Sequence, residues 1–244
     1  MNKHDQTSPS AVLRAMISTC LLTAMLYQAG TFAAQSPDNL GPNSNKVSAV
    51  NNVDTKLISS PDKEELRQVL SQLTSFEAVF SQSISDESGE ELQSSSGRLL
   101  LLAPNKLRWE TSYPDETVLI ADGEAIWNID PFVEQVTVIS QSSMTANNPL
   151  MLLINDTDEQ WNAITVNKRK GSYELFTSDE TASIRQLNIK FENGLLTELT
   201  SIDNQQQKSL LVFSDIKQNT DVQKSSFEFS VPPTFIVDDQ RPQN

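Results

Sequence analysis

The chain is 244 residues long, with 32 acidic against 18 basic residues and a net charge of −14. That length holds one ordinary domain with an appendage, and a composition of 37% hydrophobic and 20% charged residues is globular and too polar for a multi-span membrane protein. The acidic balance excludes nucleic acid as a partner, because phosphate binding depends on clustered Lys and Arg.

Lys3, His4 and Arg14 form a basic start, Ala15 to Ala29 is an apolar run, and Thr31-Phe32-Ala33-Ala34 ends it with small residues. This pattern predicts a secretory signal, residues 1–34, removed on export. As a membrane anchor the run is shorter than the roughly 20 residues a bilayer requires, and Ser18, Thr19, Thr23 and Gln28 interrupt it. Thr19 is also larger than the Gly or Ala that precedes a lipid-modified cysteine, so Cys20 is not expected to be acylated. Cleavage removes Lys3, Arg14 and Asp5, which deepens the negative charge by one, and takes with it the single His and the single Cys. The exported chain then has no disulfide, no zinc site of the usual type and no Ser-His or Cys-His catalysis. Carboxylate pairs remain, but Glu90-Glu91 and Asp238-Asp239 are adjacent residues that point to opposite faces of a strand, which does not build a catalytic pair. No glycine-rich nucleotide motif is present. Neither an enzyme nor a metal or cofactor site is expected.

Residues 35–59 are rich in Asn, Ser, Asp and Pro without a sustained period and are read as a flexible polar leader. The domain, residues 60–244, opens at Ser60-Pro61-Asp62, with an N-cap serine and a proline at the first helical position. Leu66, Val69, Leu70 and Leu73 then form one apolar helical stripe. From Phe76 the period becomes two, through Ala78 and Phe80, ending at Asp86-Glu87-Ser88-Gly89. Strand-like runs follow at Gly97–Leu102, Leu107–Ser112, Thr117–Ala121, Glu124–Asp130 and Glu134–Ser140. Others are Trp161–Lys168, Tyr173–Thr177, Ile184–Phe191, Leu195–Asp203 and Ser209–Ile216, with Asp122-Gly123 and Asn193-Gly194 as hairpin turns. Asn147-Asn148-Pro149-Leu150-Met151-Leu152-Leu153-Ile154 breaks the rhythm and is read as a short helix lying on the sheet in preference to a buried strand. About eleven strands and two helices predict a mainly β fold, an incomplete antiparallel β-barrel with its open face covered by a helical lid. Its interior is either a packed core or a hydrophobic cavity, and periodicity does not choose between them.

Pro104-Asn105-Lys106-Leu107-Arg108-Trp109, Pro114-Asp115-Glu116-Thr117, Asp122-Gly123, Trp127 and Asp130-Pro131-Phe132-Val133-Glu134-Gln135 occur in one order and spacing. With Asn148-Pro149-Leu150-Met151-Leu152 and Val237-Asp238-Asp239-Gln240-Arg241, this set resembles the LolA family, the periplasmic outer-membrane lipoprotein carriers of Gram-negative bacteria, over roughly residues 62–241. The resemblance implies a monomeric periplasmic shuttle. It would take triacylated lipoproteins from the inner-membrane ABC transporter LolCDE to the outer-membrane receptor LolB and shield their acyl chains in an apolar cavity. A membrane-associated receptor or lipid-sensing module of the same half-barrel design is the other reading. Leu70, Leu107, Trp109, Leu150 and Leu153 match family positions that line or close the cavity. Together with Leu66, Phe76, Phe80 and Ile154 they form the candidate acyl site. One position departs from the pattern: Ala103 stands where well-studied members carry an Arg that ties sheet to lid. Arg108 is the candidate substitute latch, or else a surface charge, since it alternates with Leu107 and Trp109.

Burial of a ~16-carbon chain at about 0.8 kcal/mol per CH₂ yields roughly 12 kcal/mol, and three such chains would exceed the affinity ceiling near 18–21 kcal/mol. A carrier that releases its cargo must therefore either open at a cost or leave the chains partly exposed.

Overall fold

In the computed structural model, which describes residues 60–142, 153, 156–178 and 182–242, Ser60 caps the first helix as its side chain allows. Its backbone is extended (φ −63°, ψ 144°) and its Oγ accepts a hydrogen bond from the Lys63 amide at 3.2 Å. Helix α1, Pro61–Ser71, carries Asp62 and Glu64 in its first turn, at the positive end of its dipole, and buries Leu66 and Leu70.

The strands that follow are β1 (Ser75–Ser85), β2 (Glu91–Leu102), β3 (Lys106–Tyr113), β4 (Thr117–Ala121), β5 (Ala125–Asp130) and β6 (Gln135–Ser140). Helix α2 (Asp158–Asn162) precedes β7 (Ile164–Arg169), β8 (Ser172–Thr177), β9 (Ile184–Glu192), β10 (Leu195–Asp203) and β11 (Lys208–Gln218). A 3₁₀ turn at Lys224–Phe227 and strand β12 (Ile236–Asp239) complete the described elements. All twelve strands join one open sheet in the order β12-β6-β5-β4-β3-β2-β1-β11-β10-β9-β8-β7, whose two end strands do not meet. Neighbours are antiparallel except β12, which runs parallel to β6.

Three expectations are corrected. The described residues hold twelve strands against the roughly eleven expected: Ile236–Asp239 is short and wholly exposed, so it carries no alternation, and its partner lies about a hundred residues earlier. Strand β2 begins at Glu91, not Gly97, because the polar stretch up to Ser96 pairs with β1. Trp161 belongs to α2, capped by Thr157, whose Oγ1 accepts from the Gln160 amide at 3.4 Å, and the strand starts at Ile164. The expected signal and leader (1–59) and the expected short helix at 147–154, apart from Leu153, lie outside the described residues.

Turn chemistry follows residue type. Asn193 and Gly194 both have positive φ (52° and 80°), the geometry of the tight β9–β10 hairpin. In the β4–β5 turn, Asp122 Oδ1 accepts from the Glu124 and Ala125 amides at 2.8 Å each, and Oδ2 accepts from Trp127 Nε1 at 2.7 Å. Its carbonyl accepts from Lys106 Nζ. Gly123 donates to Gln141 Oε1 at 2.9 Å and Gln141 Nε2 donates to the Asn105 carbonyl at 2.7 Å, which clasps the β2–β3 loop to the end of β6.

Partial burial pushes the Asp122 carboxyl up, but the Ala125 and Glu124 amides, the Trp127 indole and the Lys106 charge together outweigh it and hold it below the usual value. A carboxyl lowered in the folded state adds stability above its unfolded pKa of about 3.9 and loses it as pH falls through the lower folded value. Asp122→Asn is therefore expected to cost about 1 kcal/mol at neutral pH, with the deficit shrinking below about pH 4. Urea unfolding of both proteins between pH 2.5 and 7 measures this, and a pH-independent difference would remove the ionised carboxylate from the account.

The sheet has two unlike faces. One is packed by Ile120, Ala125, Ile129, Val136 and Val138 together with Phe227 from the 3₁₀ turn, and Val222, Phe229, Val231 and Phe235 of the C-terminal segment lie against this cluster. The other carries α1 and is termed the inner face below.

Candidate functional site

Directly paired residues in an antiparallel sheet share a face, so the register reads out the inner face rung by rung. The first rung joins Phe76, Leu101, Leu107, Ala121 and Ile126; the second joins Ala78, Leu99, Trp109 and Leu119. The third holds Phe80, Gly97 and Thr111, with Phe213 on the other side of β1, and the fourth pairs Gln82 with Ser95. Along β3 the inward series Leu107, Trp109, Thr111 therefore passes from apolar to polar. At the polar end Gln82 Nε2 donates to Ser209 Oγ at 2.8 Å and Ser95 Oγ donates to Gln82 Oε1 at 3.0 Å. All three side chains are buried.

Four sequence-predicted residues thus meet on one surface: Phe76, Phe80, Leu107 and Trp109, none more than 8% exposed. The Phe80 and Trp109 rings stack with centroids 4.3 Å apart at 37°. Phe76 meets Phe213 edge to face at 5.2 Å. The face is covered rather than open. Leu66 and Leu70 are buried from α1, Leu153 is also buried, and Leu150 and Ile154 lie outside the described residues.

Besides the buried Leu66 and Leu70, α1 makes polar attachments. Glu65 accepts from Lys168 Nζ at 2.6 Å and from the Tyr173 hydroxyl at 3.1 Å, and Asp62 Oδ2 accepts from the Lys168 amide at 2.8 Å. Lys63 Nζ donates to the Trp161 carbonyl at 2.8 Å, while Arg67 pairs with Asp156 and Asp158 at 2.8 Å each and lies over the Trp161 ring. The Lys168 and Tyr173 hydrogen bonds hold the Glu65 carboxyl below the usual range. The ion pairs lie near the surface, where water screens them and each adds little. The sequence marked none of them, because charged residues on an exposed helix face look alike until a register brings their partners to them.

Arg108 sits elsewhere. Its register partners Leu100 and Ile120 belong to the outer face, where its Nε donates to Glu110 Oε1 at 2.6 Å and an Nη donates to the Ser226 carbonyl at 3.2 Å. The expectation of a latch to the helices is corrected: Arg108 ties β3 to the C-terminal segment, on the side away from α1. It borders an outer-face pocket of about 390 Å³ that is also lined by Glu77, Arg98 and Asp221. Ala103 is exposed, and its amide donates to the Thr74 carbonyl at 2.9 Å beside the α1–β1 loop.

The family model of the outer membrane lipoprotein carrier protein LolA matches residues 71–230. The outer-membrane lipoprotein carrier protein of Idiomarina loihiensis is 37% identical over 179 residues, 73% of this chain and 88% of that protein. Its counterpart in Pseudoalteromonas translucida is 33% identical over 192 residues, 75% of this chain and 92% of that protein. Among solved structures, a LolA superfamily protein of Nitrosomonas europaea superposes with a TM-score of 0.45 at 12% identity, over 70% of this chain and 99% of that one. The chain belongs to the LolA family of outer-membrane lipoprotein carrier proteins.

Proposed function

We propose that the protein is a periplasmic carrier that receives acylated lipoproteins released from the inner membrane and passes them to an outer-membrane receptor. In this reading the signal is cleaved near residue 34, and the exported monomer loads from a LolCDE-type transporter and unloads to a LolB-type receptor. The acyl chains lie along the apolar rungs, in space made when α1 moves aside. The observation that carries the reading is a continuous apolar inner face, with a helix that buries Leu66 and Leu70 and is tied beside β7 and β8 by ion pairs near the surface. Such attachments add little to the cost of opening, while each acyl chain returns several kcal/mol on burial.

The test is recovery of the protein from periplasm under native conditions, with mass spectrometry of what accompanies it. Acylated lipoproteins bound to a chain that begins near residue 35 are the expected result. A protein without lipoprotein cargo, held in the membrane by its N-terminus, would replace the carrier with a membrane-attached receptor of the same fold.

A further inference from the structure

Two hydrogen-bond donors are left over on the inner face. Trp109 Nε1 and Thr111 Oγ1 are buried, on residues 5% and 9% exposed, and neither has a hydrogen-bond partner among the described residues. Their polar neighbours are satisfied, since Gln82, Ser95 and Ser209 bond one another. The unpaired groups thus fall on two consecutive inward positions of β3. A buried donor without an acceptor is rare in native proteins and calls for an explanation. Phe at 109 and Val at 111 would keep an aromatic ring against Phe80 and a branched side chain on β3, and leave nothing unpaired.

Their position supplies the explanation. Leu101 and Leu107 lie on one side of the pair, Leu99 is level with Trp109, and Gln82 and Ser95 lie on the other side. An amphiphile with its chains along the apolar rungs brings its polar linkage to this level. Both groups can donate, so an acceptor completes them, and a neutral acceptor fits a buried position where an unpaired anion would not. Residues two apart on a strand are separated by about 7 Å, a span that two carbonyls on neighbouring carbons of one glyceryl unit can bridge. We infer that Trp109 Nε1 and Thr111 Oγ1 are specificity determinants that each donate to one ester carbonyl of a glyceryl diester whose acyl chains occupy the apolar rungs. This rests on the carrier reading and names the chemical group that its site recognises.

The experiment compares two probes on the purified protein. One is a synthetic lipopeptide with two ester-linked and one amide-linked palmitoyl chains; the other is its ether analogue, in which CH₂ replaces the two ester carbonyls. The ester probe is expected to bind about ten-fold more tightly, the yield of two hydrogen bonds, and to shift the Trp109 indole N–H resonance. Trp109→Phe with Thr111→Val should bring the ratio of ester to ether affinity down to about one, whatever the change in either affinity alone. Equal binding of the two probes by the wild-type protein, or an indole resonance that stays in place, overturns the inference and leaves the carrier reading standing. Failure of both probes to bind removes both. Displacement of the lipopeptide by a diacyl phosphatidylethanolamine assigns the donors to glyceryl diesters of either source, whereas resistance to it assigns them to lipoproteins.

Discussion

Gly97→Ala is expected to be the most damaging small substitution in the sheet, costing about 3 kcal/mol or more. The register slips between Ser96 and Gly97, where Ser112 is the extra residue, so β3 bulges as it crosses β2. A Cβ at Gly97 would lie 1.8 Å from the Glu110 carbonyl oxygen and 2.9 Å from a Phe80 ring carbon. A side chain could turn away, but a backbone carbonyl in a central ladder cannot without breaking its own hydrogen bonds. At about 2–4 °C per kcal/mol for a domain of this size, the midpoint should fall by roughly 10 °C. Gly89→Ala is the control, because nothing lies within 4 Å of its Cβ and only its positive φ of 88° is strained, a cost of about 1–2 kcal/mol. If Gly97→Ala melts no earlier than Gly89→Ala, the described crossing of β2 and β3 is wrong.

Leu66→Glu and Leu70→Glu are expected to release α1 while leaving the sheet folded. Both side chains are buried, at 0% and 7% exposure. Burying each leucine contributes about 1.5–3 kcal/mol. A carboxylate in the same place has no partner, and burial of an uncompensated charge costs several kcal/mol. The exposed pairs around Glu65 and Arg67 are too weak to hold the helix against that. Hydrogen exchange should show protection lost across residues 61–73 and retained in β1, β2 and β11, and retention of acylated cargo should fall by ten-fold or more. Normal cargo retention in both variants would remove α1 from the site.

Several of the site residues were legible because their signals are local. The Ser60-Pro61 start, the Leu66 and Leu70 stripe, and the alternation through Phe76, Phe80, Leu107 and Trp109 each depend on neighbours within a turn or a strand. Features made by distant pairing were not. Strand β12 has no alternation to read, and polar Glu91–Ser96 resembles a loop until β1 lies beside it. Thr111 and Gln82 share the parity of Trp109 and Phe80, but as polar residues they, like Ser95, look solvent-facing until the packed rungs bury them. Arg108 illustrates the division within one residue. Its alternation with Leu107 and Trp109 put it on the opposite face, but what waits there is the 3₁₀ turn, more than a hundred residues downstream.

The seating of Phe227 among Ile120, Ile129, Val136 and Val138 has a consequence for a molecule that must fill and empty repeatedly. Were its whole apolar anchor on the side that meets cargo, each delivery would strip the sheet of what keeps it together. The tail segment instead anchors the sheet on the face opposite the proposed acyl site. Local opening and global unfolding are then separate events with separate free energies. In the proposed carrier cycle, α1 lifts and the inner contacts pass to a guest, while the cluster around Phe227 keeps the strands in register.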